Sequence, residues 1–122
     1  MLAPTRYPTG PLPSRTPGSD WLKLMTTLLS DEEISARLED LPHWSRDEGD
    51  EPAISATYEL TDFAAALAFV NQVGAYAELL DHHPDIDIRW NKVTLTLSTH
   101  SEGGLTGADF ALAHRISELG ID

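Results

Sequence analysis

Apolar residues along this chain recur with two different periods, and the changes of period mark its elements. Ser30 and Glu33 form a capping-box pair, and Ile34, Leu38 and Leu41 follow at three- and four-residue steps. They predict a short helix that Pro42 ends. His43 and Trp44 then begin a predicted strand, and Asp47 to Glu51 read as a polar turn. Ile54, Ala56, Tyr58 and Leu60 alternate with Ser55, Thr57 and Glu59, the period of a half-buried strand. Thr61 is the predicted cap of a long helix carrying Phe63, Ala66, Leu67, Val70, Val73, Ala77 and Leu80 on a broad apolar face. Pro84 closes that element, because the residue before a proline avoids the α region. Ile86, Ile88 and Trp90 predict a third strand, Asn91-Lys92 a turn, and Val93, Leu95 and Leu97 a fourth strand. After Gly103-Gly104, Thr106 caps a last helix with Leu112, Ala113, Ile116 and Leu119 on its inner face.

The order is helix, strand, strand, helix, strand, strand, helix. Short turns make the neighbouring strands antiparallel, and the helices have to cover one face. The predicted class is α+β, a four-stranded antiparallel sheet with helices packed on one face. An uncovered edge strand is a template for a second copy, so a homodimer or homotetramer is expected.

Charge narrows the range of partners. Twenty Asp and Glu stand against eight Lys and Arg, a formal net charge of −12. Phosphate backbones need Lys and Arg to displace counterions, so nucleic acid and anionic membrane surfaces are excluded as partners. Cys is absent, which removes disulfides, thiolate metal sites and a thiol nucleophile. Residues 1–18 carry Arg6 and Arg15, no acid, and five of the eight prolines. With little apolar surface to bury, they read as a disordered arm. The wider reading takes 1–28 as a disordered or weakly ordered extension, with Met25 a candidate natural start, and 29–122 as the folded domain. No export signal or membrane-spanning run is apparent, so a cytoplasmic protein is expected.

Four of the five histidines fall late in the chain. His82 and His83 sit where the long helix meets the third strand, and His100 where the fourth strand ends. A tight turn joins those strands, so the start of one lies beside the end of the other. The three imidazoles are therefore expected at one end of the hairpin, with donors and acceptors suited to proton transfer near neutral pH. Each has a plainer reading. His82 or His83 could simply end a helix, favoured there by the macrodipole. Glu78, one helical turn before His82, either orients that ring or is a solvated charge, and Asp81 has the same ambiguity. Asp109, three residues after Thr106, reads first as the acid of a capping box. Trp90 reads as a core or rim aromatic, and His114 as an ordinary helix-face residue. A zinc site is not favoured, because no fourth ligand is implied by spacing. Ser98 and Ser101 flank His100 without a nucleophile-elbow pattern, and Gly103-Gly104 has no following Lys for a phosphate.

Taken together, Glu78-Leu-Leu-Asp-His-His-Pro84, Trp90-Asn-Lys-Val93, Leu97-Ser-Thr-His100 and Gly104-Leu-Thr-Gly-Ala-Asp109 resemble the pterin-4a-carbinolamine dehydratase family. Asp62 to Asn71 and Leu38 to Trp44 resemble it too, so the likeness covers about Leu29 to Leu119. Two departures stand out: Trp90 occupies a position where Tyr is common, and residues 1–28 have no counterpart. The resemblance implies dehydration of 4a-hydroxytetrahydropterin to quinonoid dihydropterin, which recycles the cofactor of aromatic amino acid hydroxylases. It implies no metal and no organic cofactor, His82 and His100 as the catalytic pair, and His83, Asp81, Glu78, Trp90 and Asp109 around the pterin. Relatives of the family also serve as dimerisation partners of a transcription factor or as Rubisco assembly factors, the latter on a fold that has lost its catalytic histidines. A non-catalytic binding role is therefore the alternative; all three histidines remain here, which favours the enzyme.

Overall fold

The computed structural model describes residues 17–120 of the chain. In chain order the elements are α1 (Pro17–Thr26), α2 (Asp31–Leu38), β1 (Ser45–Asp47), β2 (Ala53–Glu59), α3 (Phe63–Leu80), β3 (Asp85–Arg89), β4 (Lys92–Leu97), a 3₁₀ turn (His100–Glu102) and α4 (Gly107–Ser117). The strands form one antiparallel sheet in the order β1-β2-β4-β3, the α+β fold expected.

The register explains the burial. Ile54, Ala56 and Tyr58 of β2 stand opposite Leu97, Leu95 and Val93 of β4, and all six are buried. They meet Ala66, Phe69, Val73 and Ala77 of α3 and Phe110, Leu112, Ala113 and Ile116 of α4 in one core. On the other face Ser55 and Thr57 stand opposite Thr96 and Thr94, with the Thr57 and Thr94 hydroxyls 2.9 Å apart. One face is therefore oily and the other polar, as an antiparallel sheet covered on one side requires.

Boundaries differ from the sequence expectation in physically informative ways. The cap of α3 is Asp62, whose Oδ1 accepts from the Ala65 amide at 2.8 Å, and not Thr61. Asp62 reaches the first free amides because the helix starts one residue later. The first strand begins at Ser45, after His43 and Trp44; the Trp44 ring is in the core, and the His43 ring stacks on Tyr58 with centroids 5.0 Å apart. The β3–β4 turn is Trp90-Asn91, and Trp90 takes the left-handed backbone at φ 54°. An Asn would fill such a position more easily. Asn91 is committed elsewhere: its side chain donates to the Leu60 carbonyl at 2.9 Å, and its own carbonyl accepts from the Leu60 amide.

Within the expected extension over 1–28, Pro17–Thr26 is helical, and residues 1–16 lie outside the described residues. Leu22 and Leu24 of this helix are exposed, as is Leu28 just after it. Its backbone comes close to the start of α4. A Cβ on Gly107 would come within 2.6 Å of the Leu24 carbonyl oxygen, and the Leu29 amide donates to the Leu105 carbonyl.

The Ser30–Glu33 capping box of α2 is formed, with the Glu33 carboxylate 2.8 Å from the Ser30 amide. That amide, and then the Ser30 hydroxyl, hold the Glu33 carboxyl below its ordinary value of 4.5. A depressed carboxylate stabilises the fold above its unfolded pKa, and this contribution is lost as pH falls through the folded value. The urea midpoint of wild type should therefore exceed that of Glu33→Ala near neutral pH. The gap should close below about pH 4.5; a gap that does not change with pH would show that the box does not depend on the charge.

Candidate active site at the histidine end of the sheet

Each histidine is placed by a break in regular structure. Asp81 ends α3 in the left-handed conformation, φ 53° and ψ 45°, three residues before Pro84. The His82 amide then bonds back to the Ala77 carbonyl at 3.0 Å, a Schellman-type closure. The reversal sends His82 inward toward α4 and folds His83 back over the last helical turn. On the other side, the chain leaves β4 at Leu97, pairs Thr99 with Gly104, and returns through Gly103 at φ 75°. His100 stands at the exposed head of that short loop.

The rings take separate carboxylates. His82 Nε2 lies 2.6 Å from Asp109 Oδ1, with the His82 side chain 14% exposed and Asp109 at 0%. His83 Nε2 lies 2.5 Å from Glu78 Oε2, and the His83 side chain is 57% exposed. His100 Nδ1 lies 2.7 Å from Glu51 Oε2, and its side chain is 68% exposed. An ionised carboxylate oxygen only accepts, so each contact calls for a hydrogen on the named ring nitrogen and leaves the other nitrogen for chemistry. Among the described residues, no group of three or more His, Asp and Glu side chains converges as metal ligands would.

Asp109 is the centre of a closed network. Its Oδ2 accepts from the Thr106 amide at 2.9 Å and from the Thr99 hydroxyl at 2.7 Å. Since the Thr99 hydrogen is used there, the Thr106 hydroxyl donates to Thr99 Oγ1 at 2.8 Å and accepts from the Ala108 amide. The expected capping box is thus present, and its acid also holds His82. Being fully buried, Asp109 reaches the surface only through that ring.

Other expectations are redistributed. Glu78 pairs with His83 and not His82, because the Asp81 turn brings His83 back over the helix end. The exposed Asp81 has no side-chain hydrogen bond to a histidine among the described residues; its visible work is the left-handed helix stop. Trp90 is not at this end. It lies beyond the five residues of β3, roughly 15 Å away at about 3.3 Å per residue. His114 is exposed on α4, as expected for a helix-face residue. The sequence does not single out Glu51, which lies in an unpatterned polar turn, and it presents Ser98 only as a hydroxyl beside His100. Ser98 is buried, 2.6 Å from Glu51 Oε2 and 2.8 Å from the Pro52 carbonyl.

An open groove of about 500 Å³ runs between α3 and the start of β3, lined by Val70, Gly74, Glu78, His83, Pro84 and Ile86 among others. Its volume is in the range of small-molecule sites. A groove of about 430 Å³ beside α1 and α2 holds none of the histidines.

Comparison with known proteins fits this geometry. A family profile described as pterin 4 alpha carbinolamine dehydratase matches residues 27–119. The chain belongs to that family. It is 57% identical over 96 residues to a Nocardia farcinica protein named "Putative pterin-4-alpha-carbinolamine dehydratase", covering 79% of this chain and 98% of that one. A Roseiflexus castenholzii protein of the same name is 56% identical over 95 residues, covering 78% and 99%. Among solved structures, a transcriptional coactivator/pterin dehydratase from Brucella melitensis superposes with TM-score 0.72 at 36% identity, covering 76% of this chain and 98% of that chain. A pterin dehydratase-like protein described as a RuBisCO assembly factor in the alpha-carboxysome superposes with TM-score 0.54 at 25% identity, covering 65% and 92%. The dehydratase family thus supplies both names and fold for the region that carries all three histidine–carboxylate pairs.

Removing the Asp109 carboxylate should be costly. Asp109→Ala leaves the Thr106 amide, the Thr99 hydroxyl and the His82 ring without their acceptor. Unpaired buried donors cost about 1–3 kcal/mol each, so a loss of roughly 3 kcal/mol or more is expected in urea denaturation. A loss under about 1 kcal/mol would mean that water or another group replaces the carboxylate.

Proposed function

We propose that this protein dehydrates 4a-hydroxytetrahydropterin to quinonoid dihydropterin, recycling the pterin cofactor of aromatic amino acid hydroxylases in the cytoplasm. The observation that carries this reading is the set of three imidazoles at one end of the sheet, each with one nitrogen on its own carboxylate and one nitrogen left over. The reaction breaks the C4a–O bond. The hydroxyl takes a proton and leaves as water, and the N5 proton is lost to a base as the C4a–N5 double bond forms. One protonated and one neutral imidazole supply both transfers, and exchange with water resets them. His82 and His100 are the proposed pair. His83, with Glu78 behind it, lines the groove and is the proposed pterin contact. Family membership and the names of the relatives support the dehydratase class.

The similarity to a RuBisCO assembly factor keeps one other reading in view, a non-catalytic binding role on the same fold. Carbinolamine decay measured with and without the protein separates the two. In that assay His82→Ala and His100→Ala should each lose about 10²–10⁴-fold in kcat, the usual contribution of a placed acid or base. His83→Ala should raise KM more than it lowers kcat, because a binding contact is shared by ground and transition states. Near-wild-type turnover in both of the first two variants would refute His82 and His100 as the pair, and decay no faster with the protein than without it would favour the binding role.

We also propose a homodimer or homotetramer. β3 is an edge strand with exposed residues, and Phe63 and Leu67 leave apolar surface open on the outer side of α3. Antiparallel pairing of β3 with its copy would set the end of one strand beside the start of the other. Trp90, 67% exposed, would then approach the histidine end of a second copy. Light scattering at micromolar protein should give twice or four times the chain mass; a single monomer peak would contradict this.

A further inference from the structure

We propose that Glu51, anchored by Ser98, is the positioning residue of His100: it holds that imidazole with its hydrogen on Nδ1 and offers a bare Nε2 to the substrate. The proposal rests on the dehydratase reading for its kinetic consequence, but its structural content stands on contacts alone.

His100 has little else to fix it. It heads a three-residue 3₁₀ turn, and its side chain is two-thirds exposed. An imidazole in that setting turns freely about its side-chain bonds and exchanges its hydrogen between two nitrogens. A single strong acceptor removes both freedoms, because a carboxylate oxygen at 2.7 Å from Nδ1 requires the hydrogen to be there. The acceptor has to be fixed in turn. Glu51 comes from the loop between β1 and β2, where a long side chain would otherwise be mobile. The Ser98 hydroxyl, buried at the end of β4, lies 2.6 Å from the same Oε2. Strand β4 therefore sets the carboxylate that orients a ring two residues further along its own chain. The Ser98 hydroxyl, and then His100, hold the Glu51 carboxyl below its ordinary value of 4.5, so the acceptor is ionised at neutral pH. Glu102, the other acid on this loop, accepts from the Ser101 hydroxyl, and among the described residues no other acid lies within ion-pair distance of the His100 ring.

The arrangement repeats, with different elements, what Asp109 does for His82. There the carboxylate comes from α4 and Thr99 anchors it; here it comes from the β1–β2 loop and Ser98 anchors it. Adjacent hydroxyls, Ser98 and Thr99, thus steady the acids of two different histidines.

The test uses the full chain labelled with ¹⁵N-histidine, the His100 signals being assigned by their loss in His100→Gln. At a pH where the rings are neutral, wild type should show His100 protonated at Nδ1 and bare at Nε2. Glu51→Ala should shift it toward the Nε2-protonated form usual in water. It should also lower kcat about 10- to 100-fold with KM within about twofold, less than loss of the imidazole itself. Glu51→Gln keeps an acceptor oxygen and should restore the Nδ1 hydrogen and part of the rate. Ser98→Ala should move both readouts in the direction of Glu51→Ala, and it carries the test if that variant does not fold. An unchanged His100 spectrum in Glu51→Ala would overturn the proposal, as would a changed spectrum with unchanged kcat. Wild type without any dehydration activity would refute the dehydratase reading instead, and the spectra would still decide how His100 is held.

Discussion

A carboxylate shut away from water must find its hydrogen bonds inside the protein, and Asp109 finds them on three separate elements. The Thr106 amide belongs to the N-cap of α4, the Thr99 hydroxyl to the loop leaving β4, and the His82 ring to the chain leaving α3. Charge at a helix N-terminus is favoured by the macrodipole, which helps explain why an acid is tolerated at 0% exposure. The larger reason is that both of its oxygens accept hydrogen bonds, one on Oδ1 and two on Oδ2. A buried polar group that is fully satisfied specifies geometry; one left partly satisfied would favour loosening of all three elements. The end of the sheet where the chemistry is proposed is therefore tied together by one residue, and the position of Thr99 sets where His100 begins.

The three histidine pairs form a series in exposure, and their energetics differ accordingly. An ion pair open to water on both sides contributes roughly 0–1 kcal/mol, because solvent screens it and two long side chains must be ordered. The Glu78–His83 contact is equally open to water, with side-chain exposures of 77% and 57%. Both side chains can rearrange at little cost, which suits residues lining a groove that a ligand must enter. The His82–Asp109 pair cannot, since its acid has no water to turn to. Glu51 and His100 lie between, with one exposed ring and an acid anchored by a buried hydroxyl. On the proposed function, a rigid inner pair, a braced pair and an adaptable outer pair would make a site preorganised at the proposed proton-transfer pair and compliant at the proposed pterin contact.

Patterns with a local physical cause could be read from the chain; contacts between distant segments could not. The alternation in Ile54 to Leu60 and Val93 to Leu97 marks two central strands, because one face of each must be apolar. Both capping boxes are visible from spacing alone, since the donor and acceptor sit three residues apart. The convergence of the α3 end with the β4 end follows from a tight turn. By contrast, Glu51 stands 47 residues before Ser98, in a turn with no periodicity, and nothing local ties it to a histidine. The pairing of Glu78 with His83 depended on Asp81 adopting a left-handed conformation, which Asp does often enough to permit but not to announce. α1 escaped notice because it docks through a glycine on another helix and leaves its leucines outside.

α3 presses a further constraint on the molecule. By length and composition it would pass for a membrane span, with 18 residues of mean hydropathy 1.3, yet only 22% of that stretch is buried within the chain. Its inner face, Ala66, Phe69, Val73 and Ala77, is already committed to the core beside the sheet. A bilayer would have to strip that packing away, whereas a second copy of the protein needs only the outer face that carries Phe63 and Leu67. The outer face carries Phe63 and Leu67 early and Asn71, Gln72 and Glu78 later, so its exposed apolar surface is concentrated toward the start of the helix. In the proposed homo-oligomer, a copy seated on Phe63 and Leu67 would have to leave the groove along Val70, Gly74 and His83 accessible, because that groove begins on the same helix. The demand for cover is strongest toward Phe63 and Leu67, and the demand for access is strongest toward Glu78 and His83. In that proposed arrangement one helix divides cover and access along its length.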